Sequence, residues 1–292
     1  MTGEKLIGNV SDTARWVAVY RAMETERPDA IFRDPYARRL AGERGEAIVR
    51  GMPKGKQIAW PMIVRTAVMD EIIMRCITRD GVGCVLNLAA GLDARPWRLP
   101  LPESLRWIDV DHPVMIDLKT TELAGESPKC EYEAVRLDLT DLHARAELFE
   151  RVGAASENVL VITEGLLVYL PALAVAELAR DLARQSSFKL WLMDLASPGL
   201  LKMLAKSWGP VVAAGNAPFI FGPAENTAFF APLGWRELEY RAMFDESIRL
   251  KRTMPMAGFW KFIGQLAPKK KQEKFKRFSG VALLGRAEPP GA

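Results

Sequence analysis

The chain has 292 residues, 49% hydrophobic and 26% charged, so it can hold one large or two small globular domains with a core that needs no disulfide or metal staple. A formal charge of +4 does not by itself imply nucleic acid, and the odd set Cys76, Cys84 and Cys130, without CxxC spacing, points to reduced thiols in a cytoplasmic protein. His112 and His143 are the only histidines, which removes most metal sites and argues against a histidine-based triad, so any chemistry must need little acid–base help or take it from a carboxylate, a tyrosine or the substrate.

The N-terminal residues carry Glu4, Lys5, Asp12 and Arg15 and lack the apolar stretch of a signal peptide; no apolar run approaches a membrane span. Residues 1–80 read as helical. Ser11 or Asp12 caps a helix with Trp16, Val19, Tyr20 and Met23 on one face. A second helix is expected from Pro35 to about Arg50. Pro61 opens a third, with Met69, Ile72, Ile73 and Cys76 on one face and Gly81 at its end. This is more helix than a lead-in to a strand requires, and it predicts a helical cap near a ligand site.

Val82 to Ala89 is an apolar run suited to a buried strand. Gly91, Asp93 and Pro96 then signal a turn and a short helix, and a second strand runs from Leu105 to Val110 and ends in Asp111. The acid falls 20 residues beyond Gly91, a spacing that suits a carboxylate on a ribose diol. The turn Ala89-Ala90-Gly91-Leu92-Asp93-Ala94 keeps one of the three glycines that a dinucleotide turn uses. It offers few bare N–H groups to a pyrophosphate. A nucleoside without phosphates fits better, and S-adenosylmethionine is the commonest such cofactor.

Further on, helices are expected at Val114–Leu123, Leu142–Val152 and from Pro171. Strands are expected at Glu133–Leu137, Asn158–Thr163 and Phe188–Met193. The alternation predicts an α/β fold with a doubly wound, mostly parallel sheet. Residues 197–232 are rich in Gly, Pro, Ala and aromatics (Trp208, Phe219, Phe221, Phe229, Phe230) and read as a helical lid inserted over the site. Trp235–Tyr240 and Val281–Gly285 read as closing strands. The basic stretch within Phe259–Phe278, with Lys269, Lys270, Lys271, Lys274, Lys276 and Arg277, reads as a solvated helix face. Asp111, Asp138, Glu164 and Asp194 each close a predicted strand, which puts them on the one edge of a parallel sheet where ligands bind.

The segments SDTARWVAVYRAME, PDAIFRDPYARRLAG, VRTAVMD, LNLAAGLDARPWRL, WIDVDHP, RLDLTD and ITEGLLVYL, in this order, resemble the leucine carboxyl methyltransferase superfamily. More closely they resemble its bacterial S-adenosylmethionine-dependent O-methyltransferase branch, related to polyketide O-methyltransferases. The resemblance covers roughly residues 10 to 195. It implies a Rossmann-like, seven-stranded class I methyltransferase in a single domain over 1–292, divided into the cap (1–80), a cofactor-binding core (81–196), the lid (197–232) and the closing part (233–292).

The resemblance also implies site roles. Arg65 holds the cofactor carboxylate with help from Arg15, and Gly91 lets the backbone approach the methionine part. Asp111 binds the ribose hydroxyls, Asp138 and the Leu139 backbone meet the adenine, and Glu164 contacts the methionyl ammonium. Structural alternatives exist for three of these: Arg65 pairing with Asp70, Asp138 capping a helix with Thr140, and Asp111 capping the helix after Pro113. His112 stands where the family's D-x-P triplet leads one to expect an apolar or aromatic residue, and it is given no catalytic role. No metal is implied. The expected activity is O-methylation of a hydroxyl or carboxylate on a small apolar or aromatic acceptor, without nucleic-acid or membrane partners. The alternatives are a protein C-terminal carboxyl methyltransferase and a cofactor-binding protein without turnover.

Overall fold

The computed structural model describes residues 10–52, 55, 58–214, 218–254 and 268–287. Three helices come first: α1 (Val10–Thr25), α2 (Ala37–Gly51) and α3 (Trp60–Thr78). An alternating series follows: β1 (Cys84–Leu88), α4 (Arg95–Arg98), β2 (Arg106–Asp111), α5 (Pro113–Glu122), β3 (Glu131–Arg136), α6 (Leu142–Ala154), β4 (Val159–Thr163), α7 (Ala172–Arg184) and β5 (Phe188–Ala196). After these come α8 (Pro198–Ala214), a 3-10 segment (Asn226–Leu233), β6 (Trp235–Ala242), α9 (Met243–Arg249), α10 (Lys269–Lys276) and β7 (Ser279–Arg286).

The strands form one seven-stranded sheet in the order β3-β2-β1-β4-β5-β7-β6. Strands β1 to β5 run parallel, and β7 is inserted antiparallel between β5 and β6. This is the doubly wound, mostly parallel sheet that the element order predicts. The chain winds from β1 out to β3 and returns to β4 on the other side of β1. That reversal opens a crevice beyond the carboxyl ends of the two central strands.

β1 and β4 are buried along their whole length, as strands covered on both faces must be. Period-two alternation sends Leu86, Leu88, Val159 and Val161 to the face covered by α6 and α7, where Phe149, Val175 and Leu182 wait. Val85, Leu160 and Ile162 face Val68, Ile72 and Ile73 of α3. Each such side chain stabilises the fold by roughly 1.5–3 kcal/mol when fully buried. A third cluster joins α1 and α2 to Ile63 of α3, Trp97 of α4 and Met115 of α5. The N-terminal helices are therefore seated on the elements that follow β1 and β2, at the carboxyl edge of the sheet.

Several expected boundaries move, each for a physical reason. α2 is broken at Gly42 (φ 60°) instead of running straight from Pro35, because the helix beyond it presses on α1. A side chain at Gly45 would come within 2.9 Å of the Arg15 carbonyl. β3 starts at Glu131 and stops at Arg136; it is a half-exposed edge strand with weak alternation. β5 runs on to Ala196 because β7 pairs with it as far as Ser279, so Asp194 lies inside the strand rather than closing it. α9 was not expected; Asp245 and Glu246 in its first turn and Arg249 in its last suit its dipole.

The aromatic stretch divides. Phe230 is fully buried and packs edge-on against Trp191 at 5.2 Å, and Phe229 packs edge-on against Phe230. These two belong to the sheet core, not to a lid. Trp208 and residues 255–267 of the basic stretch lie outside the described residues or side chains. Lys269, Lys271, Lys274 and Lys276 are exposed, the solvated face that their sequence suggests.

Candidate active site

The crevice is a cavity of about 840 Å³ between the strand ends and the N-terminal helices. Its floor is the turn after β1. Ala89 (φ 54°) and Gly91 (φ 50°) both take left-handed backbone. A side chain at Gly91 would stand 3.2 Å from the Ala14 Cβ of α1, so glycine serves both the turn and the close passage of α1 above it. The left-handed alanine is the less favourable of the two, by roughly 1–2 kcal/mol relative to a right-handed one.

Asp111, the last residue of β2, accepts the Gly91 N–H through Oδ2 and the His112 N–H through Oδ1, both at 2.7 Å. Burial pushes its carboxyl above the usual range, against the opposing effect of those two hydrogen bonds. Each oxygen still has a lone pair for a further donor. Asp138 lies two residues past β3 and is exposed. Its Oδ1 accepts from the Thr140 N–H at 2.9 Å and the Thr140 hydroxyl at 2.7 Å, which hold the carboxyl below its usual range. The helix cap nearby is Asp141, which accepts the His143 and Ala144 N–H groups. Leu139 lines the cavity, and its carbonyl accepts from Arg145 Nη1 at 3.0 Å. His112 sits at the rim with its side chain 59% exposed.

Glu164, directly after β4, is held by two arginines. Arg65 Nε donates to Oε1 at 3.0 Å and Arg95 Nη1 to Oε2 at 2.8 Å. Burial alone would push the carboxyl up; Arg95 and Arg65 more than offset it and leave it below the usual range. Arg65 reaches across from α3 and also donates Nη1 to Asp194 at 3.0 Å. It does not pair with Asp70, which takes Arg95 Nε at 2.6 Å and both ends of Arg98 at 2.6 and 2.7 Å. Two of the Arg65 donors therefore already serve protein carboxylates, which leaves fewer for a ligand carboxylate.

Arg15 is not brought to the cavity. Ala14, Val17 and Arg21 line it at the i, i+3, i+7 spacing of one helix face. Arg15 lies off that face, and its Nη1 donates to the Ala41 carbonyl at 3.3 Å. Arg21 lines the cavity but is engaged with Asp34 at 2.8 Å and the Leu92 carbonyl at 2.6 Å. The residues that sequence reasoning missed are Asp70, Asp93, Arg95 and Arg98. Arg95 bridges Asp70, Asp93 and Glu164, tying together α3, the glycine turn and the end of β4. Their one sequence signal is the pair of arginines at i, i+3 in DARPWR, on a helix too short to suggest partners.

The opposite wall is apolar. Leu200, Met203 and Leu204 of α8, Phe219 and Phe221, and Phe275 and Phe278 at the end of α10 all line it. Tyr169 stands between the two regions, with its ring 5.4 Å from Phe219. Burial raises its phenol, which keeps it protonated at neutral pH.

The model of the family described as leucine carboxyl methyltransferase matches residues 14–183. The chain belongs to that family. A Streptomyces coelicolor protein named "Putative S-adenosyl-L-methionine-dependent methyltransferase" is 33% identical over 73% of this chain and 80% of its own length. A Parafrankia protein with the same description is 31% identical over 88% of this chain and 87% of its own. In fold, the chain is similar to the crystal structure of a DUF574 family protein from Streptomyces avermitilis. That match has a TM-score of 0.59 at 14% identity and covers 93% of this chain and 97% of the other. The family and the sheet order together make this a Rossmann-like methyltransferase fold, and the cavity at its switch point lies where such folds bind ligands.

Proposed function

We propose that this chain is an S-adenosylmethionine-dependent O-methyltransferase, acting as a single domain on a hydroxyl or carboxylate of a small apolar or aromatic molecule. One observation carries the reading: a single cavity joins a charged floor at the strand ends to a wall of leucines, methionine and phenylalanines. The chemistry of the floor fits the cofactor. Asp111 would take the ribose hydroxyls through its remaining lone pairs, and Asp138 with the Leu139 backbone would meet the adenine. Gly91 would let the backbone approach the methionine part. Glu164 and Arg65 would face the amino-acid ammonium and carboxylate. The bound cofactor supplies an already activated methyl group on a sulfonium.

The protein's own task is then to hold an acceptor oxygen in line and to keep water away, which supplies much of the rate in such a transfer. The protonated Tyr169 can donate a hydrogen bond to that oxygen but not take its proton. The apolar wall suits an acceptor that leaves water readily.

S-adenosylmethionine and S-adenosylhomocysteine are expected to raise the melting temperature by mass action, and NAD is not. A shift with NAD alone would remove the reading. An acceptor screen with labelled methyl donor names the substrate class. Asp111→Ala is expected to weaken S-adenosylmethionine binding by about 1.5–3 kcal/mol, the range for a hydrogen bond to a charged group, with the melting curve of the free protein intact. Calorimetry showing unchanged affinity would take Asp111 out of the site.

A further inference from the structure

Asp194 holds two parts of the site with one carboxylate. Its Oδ1 accepts the Gly165 N–H at 2.6 Å, and its Oδ2 accepts Arg65 Nη1 at 3.0 Å. Gly165 follows Glu164 directly and takes left-handed backbone (φ 65°). A side chain there would lie 3.4 Å from Arg65 Nη1, so the guanidinium rests against bare backbone. Arg65 is thus drawn from opposite ends, with Nε on Glu164 and Nη1 on Asp194. Among the described residues, Nη2 between them makes no hydrogen bond. A guanidinium beside a carboxylate is most stable with two parallel hydrogen bonds. Arg65 makes one to Glu164, and Asp194 holds the plane of the guanidinium in that orientation.

We propose that Asp194 is a positioning residue of the cofactor site. Resting on the function proposed above, it fixes Arg65 so that Nη2 stays available to the ligand's carboxylate, and it fixes the backbone turn that carries Glu164. Without it the guanidinium is free to turn and close a fork on the Glu164 oxygen it already meets, which would withdraw Nη2 from the ligand's carboxylate.

The test is calorimetry on the full chain with two ligands, S-adenosylmethionine and its decarboxylated analogue, which lacks the group that Arg65 would meet. Asp194→Asn keeps the side-chain shape and an acceptor for the Gly165 N–H; Asp194→Ala removes both, and the Asn variant carries the test if the Ala variant does not fold. The expected result is about a tenfold loss of S-adenosylmethionine affinity in Asp194→Asn, with the decarboxylated ligand bound within about twofold of wild type. Equal loss of both ligands would overturn the proposal in favour of a general structural role. Unchanged or tighter S-adenosylmethionine binding would also overturn it, because Asp194 would then only repel the ligand carboxylate. Wild-type protein that binds neither ligand would overturn the cofactor reading itself, and this proposal with it.

Discussion

Lys119→Met is expected to lower the unfolding free energy by about 3–5 kcal/mol, the cost of leaving one partner of a buried ion pair uncompensated. Lys119 of α5 and Asp109 of β2 are both fully buried, with Nζ 2.7 Å from Oδ2. The other Asp109 oxygen accepts Trp107 Nε1 at 2.9 Å and Asn87 Nδ2 at 3.0 Å. Two neutral donors cannot replace the ammonium, so the carboxylate would be left desolvated or would have to take up a proton. The pair also supports the site: Lys119 Nζ donates to the Asp93 carbonyl at 3.3 Å, and Asn87 Nδ2 to the Asp93 carboxylate at 3.1 Å. Removing both charges, Lys119→Met with Asp109→Leu, is expected to recover much of the loss, since apolar replacement of a whole buried pair is often close to neutral. Urea unfolding of the two single variants and the double variant gives the coupling directly. A loss below about 1 kcal/mol for Lys119→Met would show that water reaches Asp109 and that the pair is not dry.

The sheet was legible because its signals are local. Buried parallel strands are mostly apolar runs, and β1 and β4 both fall inside the runs expected at 82–89 and 158–163. Asp111 and Glu164 were legible for a related reason: an acid just beyond such a run has one place to go, the carboxyl edge. The signal weakened where burial weakened. β3, half exposed at the edge, starts two residues earlier and ends one earlier than expected, and Asp138 sits in a turn with Thr140 rather than at a strand end. Arg15 failed for a different reason. Helical periodicity gives the apolar face of α1, but not which polar flank looks into the cavity, and Arg15 lies off the cavity face, so its guanidinium meets α2 instead. The ion network was illegible in principle. Arg95 finds Asp70 and Glu164, which are 25 and 69 residues away in sequence. No pattern of spacing encodes a partner brought in by another element. Phe230 shows the same limit for apolar residues. An aromatic cluster reads alike whether it lines a cavity or fills a core, and only the contact with Trp191 decides.

Arg95→Met is expected to cost about 3–5 kcal/mol at pH 7, and to cost less as the solution is acidified. Arg95 is almost fully buried, and it faces three carboxylates: Asp70, Asp93 and Glu164. Burial pushes Asp93 up, but Arg95, with Arg98 and Lys119, outweighs that and leaves the carboxyl at about 2. Glu164 is lowered in the same way, by Arg95 and Arg65. A carboxyl whose folded pKa is depressed contributes stability above its unfolded value, about 4. That contribution is lost as the pH falls through the folded value. In wild type these two groups therefore help to hold the fold at pH 7; the Asp93 contribution drains away between about pH 4 and pH 2, and that of Glu164 as the pH falls through its own lowered value. Without Arg95 the balance at Asp93 reverses, because desolvation remains and the largest opposing charge is gone. Its carboxyl then rises, and the folded state gains from protonating it. Lowering the pH relieves the variant while it weakens the wild type, so the difference between them narrows. Urea unfolding at pH 7 and near pH 4 measures that difference in each condition. An equal difference at both would mean that the cost of losing Arg95 lies in packing, and that the carboxylates at the cavity floor are held ionised by Arg65, Arg98 and Lys119 alone.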